Sequence, residues 1–501
     1  MQATPDLEAF RRAYDAGQSQ IVSTALVADL ETPVSTFLKL ADGKPFSFLF
    51  ESVEGGKTIG RYSFISMRPD IVWRCRNGVS EINRRARFDA EAFETESGNP
   101  LDRLRALVNE SQVPSAPGLP PMAASVIGYM GYDMVRQMER LPDETQDVLQ
   151  LPDSIFVRPT LTAVFDRVED LVTLFTPVWP KSGVDASTAY DLACERLAEA
   201  LTDFDRSLPF RREPLGDIEP LPEPRSNTPP ERFKAMVERA KEYILAGDIF
   251  QVVLGQRFSL PFKLPPFALY RALRRLNPSP FLFFLDLGDF ALVGSSPEVL
   301  VRLRDGTVTI RPLAGTRMRG ATEEEDRALA EDMLNDPKEC AEHLMLLDLG
   351  RNDVGRVAQI GSVKVTSQFQ IEHYSHVMHI SSNVEGTIDP KYDALDALAA
   401  GFPAGTVSGA PKVRAMEIID ELESDKRSTY AGAVGYFGAD GAMDTCIALR
   451  TALVKDGTMY VQAGAGIVAD SDPEAEQQEC LNKARALIRA AQEAVRFARH
   501  G

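Results

Sequence analysis

Glu339 and Glu342 stand three apart in D-P-K-E-C-A-E-H-L, and Glu476 and Glu479 stand three apart in S-D-P-E-A-E-Q-Q-E-C-L. Asp336 and Asp472 can cap helices at these points, Pro337 and Pro473 suit the first helical position, and apolar residues follow. Residues three apart share a helix face, so each helix can aim two carboxylates at one point. Four converging carboxylates demand a cation. All-oxygen ligation with room for water suits Mg²⁺ better than zinc or copper. Two solvated helix starts, with acidic residues favoured by the helix dipole, would give the same pattern. Taken alone, the pairs favour that plainer reading.

Other residues have chemistry to offer. Gly464-Ala465-Gly466-Ile467-Val468-Ala469 matches a dinucleotide fingerprint after a strand, but Asp470, Ser471, Asp472 and Pro473 delay the helix that must follow directly, so that reading fails. What remains is a glycine-rich turn, either merely tight or open to a ligand carboxylate. Arg450, at the end of the strand T-C-I-A-L-R, could complete a bidentate carboxylate site, and Tyr430 could add a hydroxyl; a surface arginine and a packed tyrosine are the plainer alternatives. His373, His376 and His379 look like a metal comb, yet the segment reads as one strand, which puts His376 on the face opposite the other two. One pocket-facing histidine in proton transfer is the remaining possibility. Glu298 in V-G-S-S-P-E-V-L could serve as a general acid only where its surroundings raise its pKa. R-P-L-A-G-T-R-M-R-G (311–320), with three arginines, reads as an anion-binding loop.

The elements that must position these groups fall into two halves. Residues 205–230 hold seven prolines and read as an extended linker between an N-terminal domain (1–204) and a C-terminal one (231–490). Strand-like runs lie at Phe46–Phe50, Tyr62–Ile65, Ile71–Cys75, Ala124–Tyr129, Leu161–Phe165, Leu171–Phe175, Phe250–Phe258, Phe281–Leu285, Ala291–Gly294, Val299–Arg304, Val308–Arg311, Thr445–Val454 and Thr458–Ala463. Thr228 is expected to cap a helix begun by Pro229 and Pro230 and ended by Gly247. Hairpin-linked strands with helices collected apart imply an α+β fold with antiparallel sheets. In 501 residues the net charge is −18, which argues against a nucleic-acid partner. The five cysteines are scattered, with no C-x-x-C pair, as expected of a reducing compartment. Neither a signal peptide nor a membrane span is evident, so a cytoplasmic protein is expected.

Taken together, the motifs resemble the chorismate-utilising enzymes, and most specifically the large subunits of anthranilate synthases. The strings that carry the resemblance are G-D-I-F-Q-V-V-L-G-Q-R (247–257), N-P-S-P-F-L-F-F (277–284), G-S-S-P-E (294–298), R-P-L-A-G-T-R (311–317), A-E-H-L-M-L-L-D-L-G-R-N-D-V-G-R (341–356), F-P-A-G-T-V-S-G-A-P-K (402–412), Y-A-G-A-V-G-Y-F (430–437) and Q-A-G-A-G-I-V-A-D-S-D-P (462–473). The resemblance implies an antiparallel β-sandwich-like core with outer helices, the two halves packed as one unit. It implies that Glu342 and Glu479 hold Mg²⁺, with Glu339 and Glu476 acting through its waters. Gly315, Thr316, Tyr430, Arg450, Gly464, Ala465 and Gly466 would bind chorismate. Glu298 would protonate the departing C4 hydroxyl, with His379 and Thr406 as further catalytic residues.

Two positions discriminate within the resemblance. Relatives that add water to chorismate carry a lysine base where this chain has Gln251, and an amide cannot deprotonate water. Aminodeoxychorismate synthases, the nearest rival, typically show a lysine where this chain has Ala314. A catalytically dead regulatory subunit is a rival of another kind, opposed by the retention of Glu298, Glu342, His379 and Glu479. No glutaminase signature is present, so a separate glutamine amidotransferase subunit, and hence a hetero-oligomer, is implied. A tryptophan effector site is also implied, at Ser52 and Pro280-Phe281-Leu282, where this chain has phenylalanine and leucine in place of the family's usual Tyr and Met.

Overall fold

The computed structural model describes residues 2–54, 58–114, 119–208, 221–374 and 377–498. Every pairing between its named strands is antiparallel. The α+β expectation therefore holds.

Strand pairing runs through both halves of the chain. Ser47–Glu51 pairs with Phe281–Asp286, and Ser125–Met130 pairs with Ala433–Gly438. Side chains from these strands and from neighbouring strands of both halves share one buried cluster, including Phe48, Phe64, Tyr129, Val157, Phe283, Leu292, Val434 and Leu453. Helices cover the outer faces. Ala186–Phe204, Pro266–Leu276 and Pro473–Glu493 contribute to one cluster through Ala193, Leu197, Leu269, Leu273, Ala484 and Leu487. Pro100–Glu110 and Ala394–Gly401 contribute to another through Leu104, Leu107, Leu395 and Leu398. Such apolar faces between sheet and helices are the main stabilising term, at about 25 cal/mol per Å² buried.

Several expected elements differ in detail. Tyr62–Ile65 and Ile71–Cys75 are one strand, Tyr62–Arg76, carried through an irregularity at Pro69 and Ile71. Thr445–Val454 is two strands, Met443–Ile447 and Thr451–Lys455, because the chain turns at Arg450 with φ +47°. The histidine-rich segment is likewise two strands, Lys364–His373 and Val377–Thr387, paired as a hairpin. Its apolar alternation is common to both arms, so it does not reveal the turn. Thr228 does not cap the helix Pro230–Leu245; its hydroxyl bonds Asn227, and Pro229 holds the N-cap position. Gly247, at φ +84°, does end that helix. Of the Pro-rich stretch 205–230, residues 209–220 lie outside the described residues, while Arg225–Ser226 adds a short strand to Gln251–Pro261.

Candidate active site

The two glutamate pairs start two helices, as their capping residues require. Asp336 accepts from the backbone N–H of Lys338 and Glu339 at the head of Pro337–Gly355, and Asp472 accepts from Ala475 at the head of Pro473–Glu493. Both helices present their first turns to one cleft of about 400 Å³. Glu339, Glu342, Glu476 and Glu479 line it, with Glu298, Gly315, Thr316, His379, Thr406, Tyr430, Arg450, Gly464 and Gly466.

At the carboxylate end, each side chain has a partner. Gln251 donates its amide to Glu342 at 2.8 Å, Arg317 donates to Glu339 at 2.8 Å, and Lys483 pairs with Glu479 at 2.6 Å. Burial and the neighbouring charges of Glu339 and Glu479 push the Glu342 carboxyl above its usual range. Burial also pushes Glu476 up, and Glu479 adds to it. These carboxylates disfavour one another's ionised form, which is the electrostatic setting a divalent cation relieves. Among the described residues no group of three or more His, Cys, Asp or Glu could itself hold a metal ion. A cation here would therefore take one or two carboxylates and complete its shell with water and ligand oxygens, the manner of Mg²⁺ rather than of zinc. The donor set fits that ion.

The opposite end is built from hydrogen-bond chemistry. Glu298 follows the strand Phe290–Ser296, is 5% exposed, and accepts from Thr406 Oγ1 at 3.0 Å and from the Leu313 N–H at 3.4 Å. Burial pushes its carboxyl up to about 8, so it stays protonated at neutral pH. His379 gives its Nδ1–H to the Gly315 carbonyl at 2.7 Å, with Thr316 Oγ1 at 3.2 Å from the same nitrogen. Its buried Nε2 has no hydrogen-bond partner among the described residues. Burial, with Arg450 adding to it, lowers its pKa to about 4, so the ring is neutral at physiological pH. Arg450 reaches the cleft from the left-handed turn between its two strands, and its guanidinium has neither an ion pair nor a hydrogen bond among the described residues. An unpaired arginine beside a neutral acid and a neutral histidine is arranged to receive an anion.

Residues 68–489 match the family described as chorismate binding enzyme. The chain is 59% identical over 492 residues to anthranilate synthase component 1 of Cereibacter sphaeroides, covering 98% of both chains. It is 47% identical to anthranilate synthase component 1 of Pseudomonas aeruginosa, covering 96% of this chain and 98% of that one. This chain belongs to the anthranilate synthase component 1 family of chorismate-binding enzymes. Among solved structures, anthranilate synthase component I from Streptococcus pneumoniae superposes with a TM-score of 0.75 at 39% identity, covering 86% of this chain and 92% of that one. The menaquinone-specific isochorismate synthase of Escherichia coli shares the fold, with a TM-score of 0.69 at 21% identity and coverage of 97% and 98%.

Within this family frame, some expectations from sequence change. Gly464-Ala465-Gly466 is not a turn but the end of the strand Thr458–Ile467, paired with Gln251–Pro261. Its glycines are explained by contact: a Cβ on Gly464 would sit 2.8 Å from the Tyr430 hydroxyl, and one on Gly466 would sit 2.7 Å from the Gln251 amide. Strand alternation turns the Ala465 methyl away from the cleft into a core with Leu254 and Ala415. The 311–320 block is no free anion-binding loop. Leu313–Met318 is a strand, and all three arginines are committed: Arg311 to Glu372, Arg317 to Asp332, Asp336 and Glu339, and Arg319 to Asp326. His373 is exposed near Asp326, and His376 lies outside the described residues. Lys483, which also donates to the Gly464 carbonyl at 2.8 Å, escaped sequence reasoning, although its i,i+4 spacing from Glu479 marks it.

Ser52, Pro280, Phe281 and Leu282 line a separate cavity of about 1000 Å³. Phe50, Phe64 and Met122 make its walls apolar, while Glu51, Arg302 and Glu372 supply charge of both signs.

Proposed function

We propose that this chain converts chorismate and ammonia to anthranilate and pyruvate, with Mg²⁺ at Glu342 and Glu479 and with ammonia delivered from glutamine by a partner amidotransferase subunit. The observation that carries the reading is the pairing, in one cleft, of the unpartnered Arg450 guanidinium with the neutral, buried Glu298 carboxyl. Chorismate has two carboxylates and a hydroxyl that must leave as water. Arg450 and the Tyr430 hydroxyl suit the enolpyruvyl carboxylate, with Gly464 leaving room for it. Mg²⁺, when bound, would supply positive charge against the ring carboxylate. Glu339 and Glu476 would act through its waters.

Glu298 would give its proton to the C4 oxygen as ammonia bonds to C2, both ring double bonds shift toward C4 and the C4–O bond breaks to release water, the new ammonium then losing a proton to solvent. The neutral His379, with its free Nε2, would then take the C2 proton as the C3–O bond breaks, leaving an aromatic ring and enolpyruvate, which takes up a proton at its methylene carbon to become pyruvate. Thr406 would hold the Glu298 carboxyl in register. Gln251 supports ammonia over water as nucleophile, since its amide is no base and is already engaged with Glu342. Ala314 lines the cleft with a methyl, which supports anthranilate over aminodeoxychorismate as product. The second cavity, apolar with charges of both signs, suits a zwitterionic aromatic amino acid and supports feedback inhibition by tryptophan.

The test is a steady-state assay with chorismate, Mg²⁺ and ammonium, following anthranilate fluorescence and pyruvate together. Equal amounts of both, lost on chelation, are expected. Chorismate consumed without pyruvate would point to aminodeoxychorismate or isochorismate, and no consumption would point to a purely regulatory chain.

A further inference from the structure

The active-site cleft and the second cavity share a wall. Pro297 and Leu313 line both. Between them stands Tyr374, at the end of the strand Lys364–His373, lining the second cavity while its ring meets that of His379 edge-on with centroids 5.4 Å apart. Its hydroxyl donates to Glu372 at 2.9 Å, and Glu372 forms an ion pair with Arg311. Both of these residues line the second cavity, and Glu372 is also the cross-strand register partner of His379. His379 is thus held on the cleft side by the Gly315 carbonyl and on the cavity side by an aromatic ring that is itself fixed from within the second cavity.

We infer that Tyr374 is a positioning residue for His379, and that it is the point through which a ligand in the second cavity alters the active site. An edge-on ring sets the plane of its neighbour, and a neutral imidazole can accept a proton at Nε2 only while Nδ1 keeps its carbonyl. A ligand that draws Glu372 away frees the Tyr374 hydroxyl, and the ring moves with it. This inference rests on the proposed roles of His379 and of tryptophan.

The experiment uses the full chain labelled with ¹⁵N-histidine, which carries only five histidines. In the wild type, His379 should show one neutral tautomer protonated at Nδ1. In Tyr374→Leu that signature should be lost and kcat should fall roughly 10- to 100-fold, as small misplacements do, with KM for chorismate changed less than about twofold. Tyr374→Phe, which keeps the ring, should retain the tautomer and most of kcat. A wild-type spectrum and kcat in Tyr374→Leu would overturn the positioning role. Should that variant not fold, the wild-type chain decides. Tryptophan that binds by calorimetry and shifts the His379 resonances in the wild type, but shifts them less in Tyr374→Phe, supports the inference. Tryptophan that binds and leaves His379 unmoved overturns it, and the effector reading stands. Tryptophan that does not bind overturns the effector reading and the coupling with it, and the tautomer in Tyr374→Met, which also removes the ring, then judges positioning: its loss supports that role and a wild-type tautomer overturns it.

Discussion

Thr406 donates its hydroxyl to Glu298 across 3.0 Å, from a turn that lies 108 residues further along the chain. The contact joins the end of one strand to the short helical turn Gly405–Val407, so the acid is held by an element of its own. Its bond stabilises the ionised form, opposing the burial that favours the neutral one. Thr406→Val should therefore have two effects. The carboxyl loses its orientation, lowering kcat by roughly tenfold, and its pKa rises further. The second effect is the diagnostic one: in a pH–rate profile the alkaline limb should move upward from its wild-type position. A profile that keeps its midpoint would mean that Thr406 does not act on Glu298.

That midpoint is itself a prediction. Glu298 must be protonated to act as an acid, so kcat/KM for chorismate should decline as pH rises through about 8. Stability follows the same group. A carboxyl whose pKa is raised on folding contributes stability in full below its ordinary value of 4.5 and loses it as pH climbs through about 8. Glu298→Gln, neutral throughout, should abolish turnover by about 10²-fold or more and flatten the fall in thermal midpoint between pH 5 and 9. Thermal unfolding across that range, wild type against variant, measures it.

What the sequence made legible was local. The capped, proline-started helices that carry Glu339, Glu342, Glu476 and Glu479 stand where the N-cap aspartates put them, because capping is decided within one turn. The product of a turn without a marker was not legible. Arg450 sits at φ +47°, a conformation glycine or asparagine would have announced, so Thr445–Val454 reads as one strand. The hairpin before His379 hides because apolar alternation runs through both of its arms. Gly464 and Gly466 look like turn residues, yet their need for glycine comes from Tyr430 and Gln251, which only folding brings near. The arginines at 311–320 look available because their carboxylate partners at 326, 332, 336, 339 and 372 are tertiary neighbours.

Glu342 gives a prediction that does not depend on turnover. It is half of the proposed Mg²⁺ pair, and Gln251 already satisfies one of its oxygens. Glu342→Gln keeps the shape and removes the charge. Mg²⁺ affinity, measured by calorimetry on the chain without chorismate, should fall by more than the roughly 10- to 100-fold that loss of an outer-sphere partner costs. Mg²⁺ should raise the thermal midpoint of the wild type and leave that of Glu342→Gln unchanged. Glu339→Gln, one turn away and paired with Arg317, should cost less. Equal losses in the two variants would mean that Glu339 binds the ion directly.

The last prediction concerns a pair that carries no chemistry. Arg427 and Glu423 are both buried and meet at 2.6 Å. The guanidinium also donates to the carbonyls of Val253 and Val407, each at 2.6 Å, and Glu423 accepts from the Gly255 N–H at 2.7 Å. The pair thus ties the strand that carries Gln251 to the turn that carries Thr406. Breaking a buried pair leaves one charge stranded, at a cost of about 3–5 kcal/mol. Arg427→Ala strands Glu423 and two carbonyls, and should lower the thermal midpoint by several degrees. Because Val407 adjoins Thr406, kcat should fall as well, while the alkaline limb set by Glu298 stays near 8 in whatever folded enzyme remains. A stable variant with full activity would show that the turn is held by its packing against Leu346 and Leu349 rather than by this pair.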